Sequence, residues 1–122
     1  MPKVPPHIVV IDDDDLVRES LERLITLLGY SVDAFACAKA FLESNVVETA
    51  SCVIADVQMP EMTGIELQRH LSAAGHKTPI IFVTGNPDPT ARSRVIRDGA
   101  IGYLSKPFRQ ECLVDCLNRA LG

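Results

Sequence analysis

Ile8-Val9-Val10-Ile11-Asp12-Asp13 is a β-branched apolar run closed by two acids, and the same design recurs downstream. Cys52-Val53-Ile54-Ala55 ends in Asp56, Ile80-Ile81-Phe82-Val83 ends in Thr84, and Ile101-Gly102-Tyr103-Leu104-Ser105 ends in Lys106. Short, continuously apolar runs predict strands buried on both faces, as in a parallel sheet. In such sheets ligands bind outside the carboxyl ends of the strands. One edge would then gather Asp12, Asp13, Asp56, Thr84 and Lys106. Carboxylates, a hydroxyl and an ammonium together suit a divalent cation and a phosphoryl group.

The segments between the runs carry helical period. Val17, Leu21, Leu24, Ile25 and Leu28 fall on one helix face, and Gly29 stops that helix in the position a left-handed residue favours. Ser31-Val32-Asp33-Ala34-Phe35 alternates and predicts a short strand near a sheet edge. Ala38 to about Asn45 predicts a shorter helix. Thr63-Gly64-Ile65-Glu66 fits a capping box opening a helix that closes at Gly75. Thr90 to Asp98 predicts a helix closed by Gly99. Arg109 to Leu121 predicts another, with Leu113, Cys116, Leu117 and Ala120 facing inward and Val114 and Leu121 on a different face. Five βα units in succession mean right-handed parallel crossovers and a three-layer, doubly wound α/β sheet. The weak second strand suits an edge, which favours the flavodoxin-like order 2-1-3-4-5.

Composition narrows the function. A chain of 122 residues with 47% hydrophobic content can build one compact domain with a core. A net charge of −4, with Lys and Arg never clustered, argues against direct nucleic-acid binding. No apolar stretch is long enough to span a bilayer, and Met1-Pro2-Lys3-Val4-Pro5-Pro6 lacks a secretory signal's apolar core. A cytoplasmic location is expected, with no membrane partner. Cys37, Cys52, Cys112 and Cys116 lie in apolar segments without CxxC spacing and are expected to be buried free thiols. His7, His70 and His76 are scattered and read as surface residues or element ends.

In the acidic run Asp12-Asp13-Asp14-Asp15, the last two suit a helix start, because carboxylates favour the positive end of the helix dipole. Asp12 and Asp13 end a buried strand instead, where packed like charges need a compensating cation. Hard oxygen ligands with few protein contacts suit Mg²⁺. Asp56, next to that metal, could act as a nucleophile toward phosphorus and form an acyl phosphate. Thr84 and Lys106 could each hold a phosphoryl oxygen.

With these motifs in place the chain resembles a response-regulator receiver domain of two-component signalling, of the CheY-like superfamily and most closely of FixJ type. The residues carrying the resemblance are Val10-Ile11-Asp12-Asp13, Asp56-Val57-Gln58-Met59-Pro60 with Thr63-Gly64, Val83-Thr84-Gly85 and Lys106-Pro107-Phe108. It covers about His7 to Leu121 and implies a single receiver domain over residues 1–122. The resemblance implies Asp56 as phosphoacceptor. It implies Mg²⁺ held by Asp13, Asp56 and the backbone carbonyl of Gln58, with Asp12 acting through water. Thr84 and Lys106 would hold the phosphoryl group, and Thr84 with Tyr103 would form the switch. Arg18, five residues after Asp13, selects Asp13 within the aspartate run. A cis Lys106-Pro107 bond is expected too. Gly85-Asn86-Pro87-Asp88-Pro89 departs from the family's often glycine-rich loop, and its prolines narrow what the loop can do.

The implied partners are a cognate sensor histidine kinase, an output domain in the same or a separate chain, and a second copy after phosphorylation. The dimer surface would lie on the fourth helix, fifth strand and fifth helix. The implied activity is a switch, not an enzyme, beyond catalysing its own phosphotransfer and slow autodephosphorylation. An aspartyl-phosphate phosphatase of the haloacid dehalogenase kind would want a second Asp two residues after the nucleophile, where this chain has Gln58. A flavodoxin-like flavin binder would want a Ser/Thr-rich phosphate loop where this chain has four aspartates, which would repel FMN.

Overall fold

The computed structural model describes residues 5–59 and 61–122; Met1 to Val4 and Pro60, the last residue of the Asp56 motif, lie outside them. The order is β1 (His7–Ile11), α1 (Asp15–Leu27), β2 (Ser31–Phe35), α2 (Ala38–Leu42), β3 (Cys52–Asp56), α3 (Gly64–Ala73), β4 (Ile80–Thr84), α4 (Pro89–Arg97), β5 (Gly102–Ser105) and α5 (Gln110–Leu121). All strand pairs are parallel, in the order β2-β1-β3-β4-β5. This is the doubly wound architecture that the alternating runs predict.

Side-chain alternation divides the core into two layers. From β1, Val9 and Ile11 pack with Phe41, Leu67, Phe82 and Val95 beneath α2, α3 and α4. Ile8 and Val10 pack with Leu21, Ile25, Leu113 and Leu117 beneath α1 and α5. β1, β3 and β4 are the inner strands, and β3 and β4 are buried at every position. β5 is an edge strand, as the order 2-1-3-4-5 requires, and its run is less buried than the inner ones, with Tyr103 and Leu104 half-buried and Ser105 exposed.

Departures from the expectation have local causes. α2 ends at Leu42 and a 3₁₀ turn follows over Asn45–Val47. The Ser44 hydroxyl donates to the Phe41 carbonyl and accepts from the Val46 N–H, competing with the helical ladder. Leu28 is 37% exposed because it caps α1 beyond its last turn, and Gly29 follows at φ 92°, in the left-handed region. Cys52 and Cys116 are buried, but Cys37 is half-buried and Cys112 is exposed in the first turn of α5, before its buried stripe begins at Leu113. Burial, with Cys116 adding to it, pushes the Cys52 thiol up to about 12, which leaves it unreactive. Leu121 packs half-buried against the layer beneath α1 and α5, and Val114, seven residues before it on the same helix, is half-buried too. His7 meets Asp33 of β2 at 2.8 Å.

Candidate functional site

The carboxyl ends of β1, β3, β4 and β5 bring the expected residues together. Asp12 follows β1, and its N–H donates to the Phe35 carbonyl at 3.1 Å, which extends the β1–β2 ladder by one residue. Its carboxylate is fully buried. Oδ1 accepts from the Asp14 N–H at 2.9 Å and Oδ2 from Lys106 Nζ at 2.8 Å. Asp56 ends β3 and is buried as well; its Oδ1 accepts from the Gln58 N–H at 3.0 Å and its Oδ2 from Lys106 Nζ at 2.9 Å. One ammonium therefore bridges two carboxylates. Burial alone would push the Lys106 ammonium down, but hydrogen bonds and charges from Asp12 and Asp56 outweigh it and hold Lys106 above its usual range. A raised pKa means that this pairing is intact below the ordinary lysine range and is lost only as pH rises through the folded value. The cation persists at neutral pH.

Asp13 differs from its neighbour. It is exposed and takes no side-chain hydrogen bond among the described residues, yet an oxygen of it lies within 4.8 Å of ligand atoms on Asp12 and Asp56. Three carboxylates face one ammonium, so a net charge of −2 remains (−3 + 1). That surplus and the all-oxygen donor set fit a hard divalent cation. Asp14 and Asp15 do other work. Asp14 caps α1, accepting from the Leu16 and Val17 N–H groups. Asp15 opens the helix and pairs with Arg18, which also donates to the Asp12 carbonyl at 2.8 Å.

The α3 side of the site rests on a close approach. The Thr63–Glu66 capping box forms as expected, opening α3 at Gly64. A Cβ at Gly64 would lie 2.7 Å from the Phe82 ring, 2.8 Å from the Asp56 carbonyl oxygen and 3.0 Å from the Val57 Cα. The Gly64 N–H donates to the Val57 carbonyl at 2.8 Å, tying α3 to the strand end that carries Asp56.

On the β4 side Thr84 is buried, and its Oγ1 accepts from the Asn86 N–H at 3.1 Å. The Asn86 side chain donates to Gln58 Oε1 at 3.0 Å, linking the two loops that flank Asp56. Sequence reasoning noted this loop for its prolines and missed Asn86; a polar residue two positions beyond Thr84 was the available signal. Tyr103 is half-buried on β5, and its hydroxyl accepts from the Asp88 N–H at 3.1 Å, at the start of α4. The Lys106-Pro107 bond is cis, as expected.

Known proteins share this chain's family and fold. A family model described as a response regulator receiver domain matches residues 8–118. Response regulator protein TodT of Pseudomonas putida is 40% identical over 114 residues, 93% of this chain and 50% of the relative. Among solved structures, response regulator StyR superposes with a TM-score of 0.89 at 40% identity, over 96% of this chain and 59% of that one. FixJ-N gives 0.85 at 28% identity, over 99% of this chain and 95% of that one. The chain spans about half the length of the curated relatives it matches.

Proposed function

The chain belongs to the response regulator receiver domain family, and on that premise we propose that Asp56 is its phosphoacceptor, working with Mg²⁺ held by Asp13, Asp56 and the Gln58 backbone carbonyl. The carrying observation is the single Lys106 ammonium shared by Asp12 and Asp56, with Asp13 beside them taking no such bond among the described residues. A receiver is a signalling switch, and the proposed chemistry is its own phosphotransfer followed by slow autodephosphorylation. A carboxylate oxygen of Asp56 attacks the phosphorus of a phosphohistidine, the P–N bond breaks, and the departing imidazole keeps its electron pair and takes up a proton. Mg²⁺ supplies charge neutralisation between the carboxylates and the incoming phosphoryl oxygens. Lys106 stays in contact with the Asp56 carboxylate and turns toward one phosphoryl oxygen, while the Thr84 hydroxyl turns toward another. Asp12, whose carboxylate is fully buried while that of Asp13 is exposed, acts on the metal through water.

This division of labour predicts unequal metal affinities. Asp13→Asn is expected to weaken Mg²⁺ binding at least about tenfold, the loss seen even for residues that only support metal ligands. Asp14→Asn and Asp15→Asn, in the helix start, are expected to change it less than about twofold, within the small electrostatic effect of one exposed charge. Metal titration of the three variants decides this, and equal losses would contradict it.

The proposed partners are a sensor histidine kinase and an output domain, the latter supported by relatives about twice this chain's length. A second copy is the third. Between α4, β5 and α5 lies a groove of about 790 Å³ lined by Arg92, Ile96, Arg97, Tyr103, Leu104 and Arg119. Arg92, Arg94 and Arg97 are all exposed and Ile96 is 42% exposed, giving α4 a basic, partly apolar outer face. Tyr103 joins this surface to the loop after Thr84. Sedimentation with beryllofluoride, a stable phosphoryl mimic, is expected to give a dimer where the untreated protein is monomeric. A monomer in both states would set the self-association reading aside.

No helix among the described residues is long and apolar enough to cross a membrane. The cytoplasm, where a kinase would reach Asp56, is the proposed location.

A further inference from the structure

α4 is fastened unequally at its two ends. From Gly85 to Arg94 every residue is exposed except Ala91, which is half-buried, so the amino half of the helix contributes almost nothing to the core. Its polar tie to the sheet there is the exposed bond from the Asp88 N–H to the Tyr103 hydroxyl. The carboxyl end differs. Val95 and Ala100 are buried. The Ala100 N–H donates to the Val95 carbonyl at 2.9 Å and the Gly99 N–H to the Ile96 carbonyl at 3.0 Å, with Gly99 at φ 103°. That pair of bonds is a Schellman cap. The same Val95 carbonyl receives a second donor from another element: Gln68 Nε2, on α3, donates to it at 3.1 Å.

Gln68 is an unusual choice for that place. It is 6% exposed, and its Oε1 finds no donor among the described residues. A buried amide with an unpaired oxygen is costly, and an apolar residue of similar length would avoid the cost. What the amide adds is a donor aimed at the end of α4, from a helix that is itself anchored by Leu67, Leu71 and the close approach of Gly64.

We propose that Gln68 is a positioning residue, the pivot that holds the carboxyl end of α4 while phosphorylation moves the amino end. This rests on the Asp56 reading above. A phosphoryl group that engages Thr84 acts first on Asn86, whose N–H bonds to the Thr84 hydroxyl oxygen. Asn86 leads through Pro87 to Asp88 and the exposed Tyr103 tie. The disturbance therefore enters α4 at its weakly held end, and the helix swings about the Gln68–Val95 bond instead of sliding along the sheet.

Residue-resolved amide exchange on the full chain, with and without Mg²⁺ and beryllofluoride, tests this, using wild type and Gln68→Met. In wild type, the mimic is expected to change exchange at residues 90–93 by about fivefold or more and at residues 98–100 by less than about twofold. In Gln68→Met, exchange at 98–100 is expected to rise about tenfold and to become responsive to the mimic, the scale of one lost buried hydrogen bond. Equal responses at both ends of α4 in wild type would overturn the pivot, and this measurement stands even if the variant fails to fold. A variant whose α4 behaves as wild type, or whose exchange rises uniformly through β1 and β3, would overturn it too. No response to beryllofluoride anywhere in wild type would overturn the phosphoacceptor reading, and the pivot with it.

Discussion

Asp56→Asn is expected to abolish the phosphoryl adduct that the chain forms with acetyl phosphate and Mg²⁺, as read by intact mass. The carboxamide keeps the shape of the side chain, but its single oxygen can accept from the Gln58 N–H or from Lys106, not from both as the two carboxylate oxygens do. What it loses is the nucleophilic oxygen and the negative charge that draws the cation. Neighbouring carboxylates are poor substitutes. Asp12 is fully buried and out of a phosphodonor's reach, whereas Asp56 keeps some exposure to solvent. Asp13 is exposed and is assigned to the metal. Lys106 should remain pinned to Asp12 in the variant, because that bond does not depend on the charge of Asp56. An undiminished adduct would show the nucleophile to be another residue.

Gly64→Ala is expected to destabilise the domain by about 2 kcal/mol, the middle of the range for overpacking a filled site. For a chain of this size that corresponds to a fall of roughly 8 °C in Tm. The added Cβ meets the Asp56 carbonyl oxygen at 2.8 Å and the Val57 Cα at 3.0 Å, both backbone atoms without a side-chain torsion to relieve them. The Phe82 ring, at 2.7 Å, is fully buried. Relief must come from α3 shifting outward, which pulls on the Gly64–Val57 hydrogen bond. Thermal denaturation monitored by circular dichroism measures the effect. An unchanged Tm would mean that the β3–α3 junction is looser than these distances describe.

Much of this molecule was legible in its sequence because its signals are backbone signals. Continuous apolar runs specify buried parallel strands, and Gly29, Gly75 and Gly99 each stop a helix in the left-handed region. A site at the carboxyl edge of a parallel sheet inherits that legibility, since strand ends fix which side chains can meet. Asp12, Asp56, Thr84 and Lys106 converge for that reason. What stayed hidden depends on side chains crossing between elements. Nothing local to Gln58 or Asn86 announces that they bond to each other across 28 positions. Gln68 sits at a helical position that periodicity alone would fill with an apolar residue. The apolar run of β5 does not by itself announce an edge strand; the flavodoxin-like order does, by placing β5 last in the sheet.

The bond on which the proposed function turns is an acyl phosphate on Asp56. The measurement that addresses it most directly is borohydride reduction of the phosphorylated wild-type chain, followed by peptide mass mapping. Reduction converts an aspartyl phosphate to homoserine and leaves free carboxylates untouched. Homoserine at position 56 and at no other aspartate is the predicted result. Homoserine at position 12 or 13, or none in a chain whose intact mass shows the adduct, would contradict the account.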